Sequence, residues 1–285
     1  MQTVGGARRV LGIISVSACI VLVLTASAAF DSARAQSSAL AVGAEDIGGV
    51  VRSSNGPEAG VWVIAETHDL GTRFARIVVT DDAGRYLVPD LPNASYEVWV
   101  RGYGLVDSAR VEARPGQRLD LTAIPTEDPA KAAEVYPAIY WYSMMKLPPA
   151  DEVSSLPGGL DQYIATMKNL GCVGCHQLGQ KATRTIPASL GKFEHGSDAW
   201  VRRIQSGQAG RDMIRIAGGQ LHGIPFKYLG DWTDRVAAGE LPHARPERPQ
   251  GVERNVVATI RDWASDHVYL HDLVSTDRRN PTVNA

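Results

Sequence analysis

One stretch of this chain combines residue types and spacing that specify chemistry: Cys172-Val173-Gly174-Cys175-His176. Two thiols three residues apart lie on one face of a helical turn, and an imidazole follows at once. Each sulfur can form a thioether with one vinyl group of a haem while the imidazole ligates the iron. Cys172 and Cys175 are therefore candidate haem-attachment residues, and His176 is the candidate proximal iron ligand. Other chemistry is open to the same residues. A structural zinc would need two further histidine or carboxylate ligands. A thiol–disulfide redox pair normally sits between a strand and a helix of a βαβ unit, whereas residues 160–170 read as a helix with no βαβ pattern around it. A plain local disulfide is the third alternative.

The start of the chain carries an address. Arg8 and Arg9 precede an apolar run over 10–24, short for a membrane span, and Ala33-Arg34-Ala35 fits a small-x-small cleavage rule. Residues 1–35 are expected to be a signal peptide, with an uncleaved anchor as the alternative, and residues 36–46 a flexible leader. The twin arginine is a weak pointer to one export route. Cleavage removes Cys19 together with three of the 29 basic and one of the 31 acidic side chains. A mildly acidic chain remains, with no basic field for nucleic acid, no membrane span, and too few cysteines for a disulfide framework. A periplasmic location is expected, which agrees with haem attachment because that maturation takes place outside the cytoplasm.

The elements that must position the pentapeptide fall into two blocks. Over 47–124, short apolar runs at 48–51, 61–66, 76–80, 86–88, 96–101, 110–113 and 118–124 alternate with turn residues such as Asn55-Gly56-Pro57 and Asp82-Ala83-Gly84. Tyr96, Val98 and Val100 face one way and Glu97, Trp99 and Arg101 the other. Seven such strands predict an antiparallel sandwich. Gly49-Val50-Val51, Gly60-Val61-Trp62-Val63, Thr80-Asp81 with Gly84-Arg85-Tyr86, and Leu91-Pro92 ahead of Tyr96 resemble the carboxypeptidase-regulatory-like, transthyretin-like family. The resemblance implies a rigid adaptor without catalytic residues. Asp81, Asp82 and Asp90 suit turns better than a calcium site, and His68 suits the surface. Residues 125–157 form a proline-broken, aromatic connector, too apolar for a solvated linker.

Over 158–242, Leu160, Tyr163, Ile164, Met167 and Leu170 recur at helical steps ahead of Cys172, and Leu229, Trp232 and Val236 do so in a closing helix. A middle helix runs from Ser197 as N-cap through Trp200, Val201 and Ile204. With the pentapeptide, Ile186-Pro187 and the later Gly207, Gly210 and Met213, this order resembles a class I c-type cytochrome. The resemblance implies an all-α haem domain with Met213 as the distal iron ligand, and His222 or His195 as alternatives. Arg202, Arg203, Arg211 and Arg215 are expected either to hold the haem propionates or to form a solvated face.

Residues 243–285 form a tail. The layout as a whole resembles the N-terminal part of exported streptogramin-lyase-type propeller proteins, and the tail looks like the entry to that propeller. The expected fold is thus multidomain, an all-β sandwich followed by an all-α cytochrome c domain. The expected function is that of a mono-haem c-type cytochrome passing electrons between redox partner proteins, with one covalent haem c and its iron, and not an enzyme. Alternatives are the haem-bearing subunit of a periplasmic dehydrogenase or lyase-like propeller assembly, and a haem-based binding or sensing module.

Overall fold

Alternation of apolar side chains puts eleven strands into three sheets among the described residues of a computed structural model, which describes 40–175, 177–205 and 209–261. The expected signal peptide, His176 and most of the tail lie outside these residues. Strands β1 (Ile47–Ser53), β2 (Gly56–Pro57), β5 (Arg85–Val88) and β9 (Leu121–Thr122) form one sheet, with β9 running parallel to β1. The facing sheet has the order β11-β4-β3-β6-β8, from Val257–Arg261, Phe74–Val79, Trp62–Thr67, Tyr96–Arg101 and Val111–Ala113. A short pair, β7 (Leu105–Val106) with β10 (Ile124–Pro125), closes one edge. Ile47, Val51, Val63, Val88, Tyr96 and Val98 fill the space between the sheets.

Local chemistry explains the turns. Gly84 takes φ +73°, and a Cβ there would stand 2.5 Å from the Val51 carbonyl oxygen. Asp81 accepts the Ala83 and Arg85 backbone N–H groups, and Asp82 pairs with Arg254, so these carboxylates serve turns and ion pairs. Tyr96 donates its hydroxyl to the Pro92 carbonyl at 2.8 Å, locking the corner before β6. One strand departs from simple alternation. Trp99 points to the outer face yet is buried, because the Arg110 guanidinium stacks 3.9 Å from its ring centroid while bridging Glu66 and Glu97.

The helices are α1 (Pro129–Ala133), α2 (Ala138–Tyr142), α3 (Gly159–Ala165), α4 (Cys172–Cys175), α5 (Lys181–Arg184), α6 (Gly196–Gln205), α7 (Gly210–Ile214) and α8 (Ile224–Ala237). Among the α-helices of the described residues, α6 and α8 are the ones longer than two turns. They cross at two glycines: a Cβ on Gly230 would sit 2.3 Å from the Ser197 nitrogen, and one on Gly196 2.5 Å from an Asp234 carboxylate oxygen. Thr233 ties them, accepting from the Trp200 indole at 3.2 Å.

The expected all-α cytochrome c domain over 158–242 is not formed as a distinct body. Its apolar core is completed by Ala133, Trp141, Met144, Val153 and Leu156 from the connector. Residues 251–255 make a 3-10 turn and 257–261 join the sandwich as β11, every residue of it exposed, at the edge beside β4. Gly158, Gly171, Gly179 and Gly191 stand between the helical runs, which are too short to enclose a core by themselves. The connector also touches the sandwich, with Tyr136 edge-on to Tyr103 at 6.0 Å and Tyr103 edge-on to Trp62 at 4.8 Å. Among the described residues, no helix is long and apolar enough to cross a membrane.

Candidate functional site

Cys172–Cys175 makes a single helical turn, α4, directly after a π-helical turn over Thr166–Leu170. A second π turn, Arg215–Gln220, follows Met213 and α7. Such turns are rare and gather where a helix must re-aim its side chains. The two meet at Gly171, where a Cβ would lie 3.1 Å from Ile216 Cγ2 and 2.7 Å from the Thr166 carbonyl oxygen. Only glycine permits that approach. The Gly171 N–H closes the first π turn by donating to Thr166 at 2.9 Å.

Around α4 the surroundings are apolar and rich in sulfur. The Cys172 sulfur lies 3.8 Å from the thioether of buried Met167. Cys172, Met213, Met145 and Ile186 all pack against the core formed by Trp141, Met144, Tyr163, Met167, Trp200 and Trp232. Tyr142 donates to the Met167 carbonyl at 3.3 Å, and burial, with a smaller contribution from Cys172, pushes its phenol up to about 12. Tyr163 is fully buried, stands edge-on to Tyr228 at 6.4 Å, and its hydroxyl has no hydrogen-bond partner among the described residues. Burial drives that phenol far above its ordinary range.

The residues expected to act on iron are placed differently from one another. Met213 is half-buried in the cluster that holds Cys172. His195 is exposed, and its carbonyl accepts the Asp198 and Ala199 N–H groups at the start of α6. His222 is exposed at φ +53°, with its Nδ1 3.2 Å from the Ser155 hydroxyl. His176 and the Cys175 side chain lie outside the described residues. Among the residues that are described, no three His, Cys, Asp or Glu side chains gather as a metal site.

The arginine cluster expected to face a cofactor divides. Arg202, Arg211 and Arg215 are exposed, Arg215 lying 3.5 Å from Asp212. Arg203 is buried, stacks 4.8 Å from the Trp200 ring centroid and donates to the carbonyls of Ala182, Thr183 and Thr185. Burial lowers its guanidinium to about 10. A different arginine is placed beside the connector. Arg184, also buried, lies 4.0 Å from the Trp141 ring centroid and donates to the Gly179 carbonyl at 2.8 Å. The sequence signal for it is a cation eight residues past His176 inside an otherwise weakly charged stretch.

These residues fit a covalently held porphyrin in kind. Two thiol positions share one helical turn, thioether and aromatic side chains pack around it, and the buried Trp141 N–H and Tyr163 O–H have no hydrogen-bond partner among the described residues. Compared with known proteins, the chain matches no family model and no curated protein.

Proposed function

We propose that this chain is an exported electron-transfer protein carrying one haem c, attached through Cys172 and Cys175 and ligated by His176 and Met213. The observation that carries the reading is the single helical turn Cys172–Cys175, set against the same sulfur-rich apolar cluster that receives Met213. A bound haem supplies a one-electron iron couple. The protein's own residues do the rest. Attachment to two vinyl groups requires two thiol positions on one helical turn, and the α4 backbone supplies them at Cys172 and Cys175. The cluster of Met144, Met167, Trp200 and Trp232 excludes water, and lower polarity around an iron favours its less charged state. What favours Met213 over His195 and His222 is its packing against this cluster, while both histidines are exposed. A thioether ligand raises the reduction potential relative to a second imidazole.

The β-sandwich supports a role as the adaptor that presents the site to partner proteins. Electron-transfer contacts of this kind are small and transient. The test is expression with and without haem-maturation machinery, followed by acid–acetone extraction. Haem that stays with the protein, and is lost when Cys172 and Cys175 are both changed to alanine, supports the reading. Haem retained by that double variant refutes the attachment.

A further inference from the structure

The edge strand β11 leaves a row of backbone groups without a neighbouring strand. Thr80, the residue after β4, donates its N–H to the Val61 carbonyl at 2.9 Å, so its backbone faces β3. Direction alternates along a strand, and β4 therefore turns Ile77 and Ala75 toward their β11 partners Ala258 and Ile260. Val257, Thr259 and Arg261 point their N–H and carbonyl groups the other way, where no strand pairs with them among the described residues. The side chains are open too. Val257 is 49% and Ile260 41% exposed, and Val252 and Val256 just before them are exposed as well. Val257–Arg261 holds no proline, glycine or lysine and its register with β4 is unbroken, so the usual devices that shield a sheet edge are missing from it. The charge at this edge is one-sided. Arg76 spends its guanidinium on the Pro89 and Asp90 carbonyls and the Thr259 hydroxyl, and Arg261 lies 5.6 Å from the Phe74 ring centroid. Neither arginine has a carboxylate at ion-pairing distance among the described residues.

We infer that β11 is a docking edge for an extended acidic segment of a partner protein, which adds one more strand to the sheet and sets a carboxylate against Arg261. Main-chain hydrogen bonds to Val257, Thr259 and Arg261 supply the affinity, and apolar side chains of the added strand cover Val257 and Ile260. The unpaired guanidinium selects the sign of the partner's charge. A second copy of this strand fits less well, because Val257–Arg261 contains no acid to offer. The inference goes beyond the haem reading and does not depend on it; it gives the sandwich a contact surface through which to act as an adaptor.

The probe is a short capped peptide in which valine alternates with threonine and glutamate, compared with the same peptide carrying lysine in place of glutamate. Each is titrated into the full-length protein, and NMR reads both the affinity and the amide exchange of Val257, Thr259 and Arg261. The glutamate peptide should slow exchange at those three amides and bind more tightly than the lysine peptide. Arg261→Glu should reverse that preference, weakening the glutamate peptide by up to roughly fivefold, the scale of an exposed ion pair. Thr259→Pro removes an outward N–H while leaving the β11–β4 ladder its own bonds, and should abolish the protection. Where that variant loses the strand, Arg261→Glu carries the test alone. Equal affinity for the two peptides, or unchanged exchange at the three amides with both, overturns the inference. Slow exchange at these amides before any peptide is added overturns it as well: dependence on protein concentration would assign the edge to a second copy, and independence to another part of this chain.

Discussion

Trp232→Phe probes the contact that joins the closing helix to the connector. The indole of Trp232 is fully buried, donates to the Trp141 carbonyl at 2.9 Å and stands edge-on to Tyr142 at 6.4 Å. Phenylalanine removes the N–H. The Trp141 carbonyl keeps backbone donors alone, from the Ser143 N–H and, at 3.3 Å, the Met144 N–H. Loss of the indole bond costs about 1 kcal/mol. The smaller ring leaves space that this tightly packed cluster fills only in part, for roughly 1–2 kcal/mol more. A total of about 2–3 kcal/mol corresponds to a drop of roughly 5–10 °C in the unfolding midpoint of a domain this size. Thermal unfolding followed by circular dichroism in the helical region measures it. A drop of under about 1 °C would refute the view that Trp232 anchors α8 to the connector.

Gly230→Ala forces a Cβ into the backbone of α6 at Ser197 and should destabilise the helical half by about 1–3 kcal/mol, read from the denaturation midpoint; an unchanged midpoint would mean the helices do not cross this closely. Glu66 is partly desolvated, which raises its pKa, but Arg73 and then Arg110 outweigh this and hold the carboxyl below its ordinary value. Its contribution is therefore full above the unfolded value and lost as pH falls through the lower folded one. The stability difference between wild type and Glu66→Gln should be constant above about pH 5 and shrink toward about pH 3. A difference that grows on acidification contradicts the assignment. In the haem-loaded protein, Met213→Ala should remove the weak methionine–iron absorption band, and an unchanged spectrum would move the ligand elsewhere.

Much of the sandwich was legible because period-two alternation and turn residues are local signals. Tyr96–Arg101 was read with its bounds, and β1, β3, β4 and β5 to within two residues. Trp99 escaped the pattern since its cover, Arg110, comes from another strand. The helical half was less legible. Apolar spacing located α6 and α8, but nothing local reveals that Gly171, Gly196 and Gly230 are contact surfaces or that the connector supplies Trp141 and Met144 to the core. That sharing is why a separate all-α domain was expected and is not observed. At the site, Cys172 and Cys175 stand out by spacing alone. Arg184 does not, because its significance depends on which ring it meets.

Electron transfer by this chain requires a porphyrin covalently joined to α4. The most direct measurement is the mass of tryptic peptides from protein purified out of a host able to attach haem c. The peptide containing Cys172 through His176 should gain the mass of one haem, with both thiols consumed. The same peptide at its unmodified mass, with two thiols open to alkylation, would contradict it.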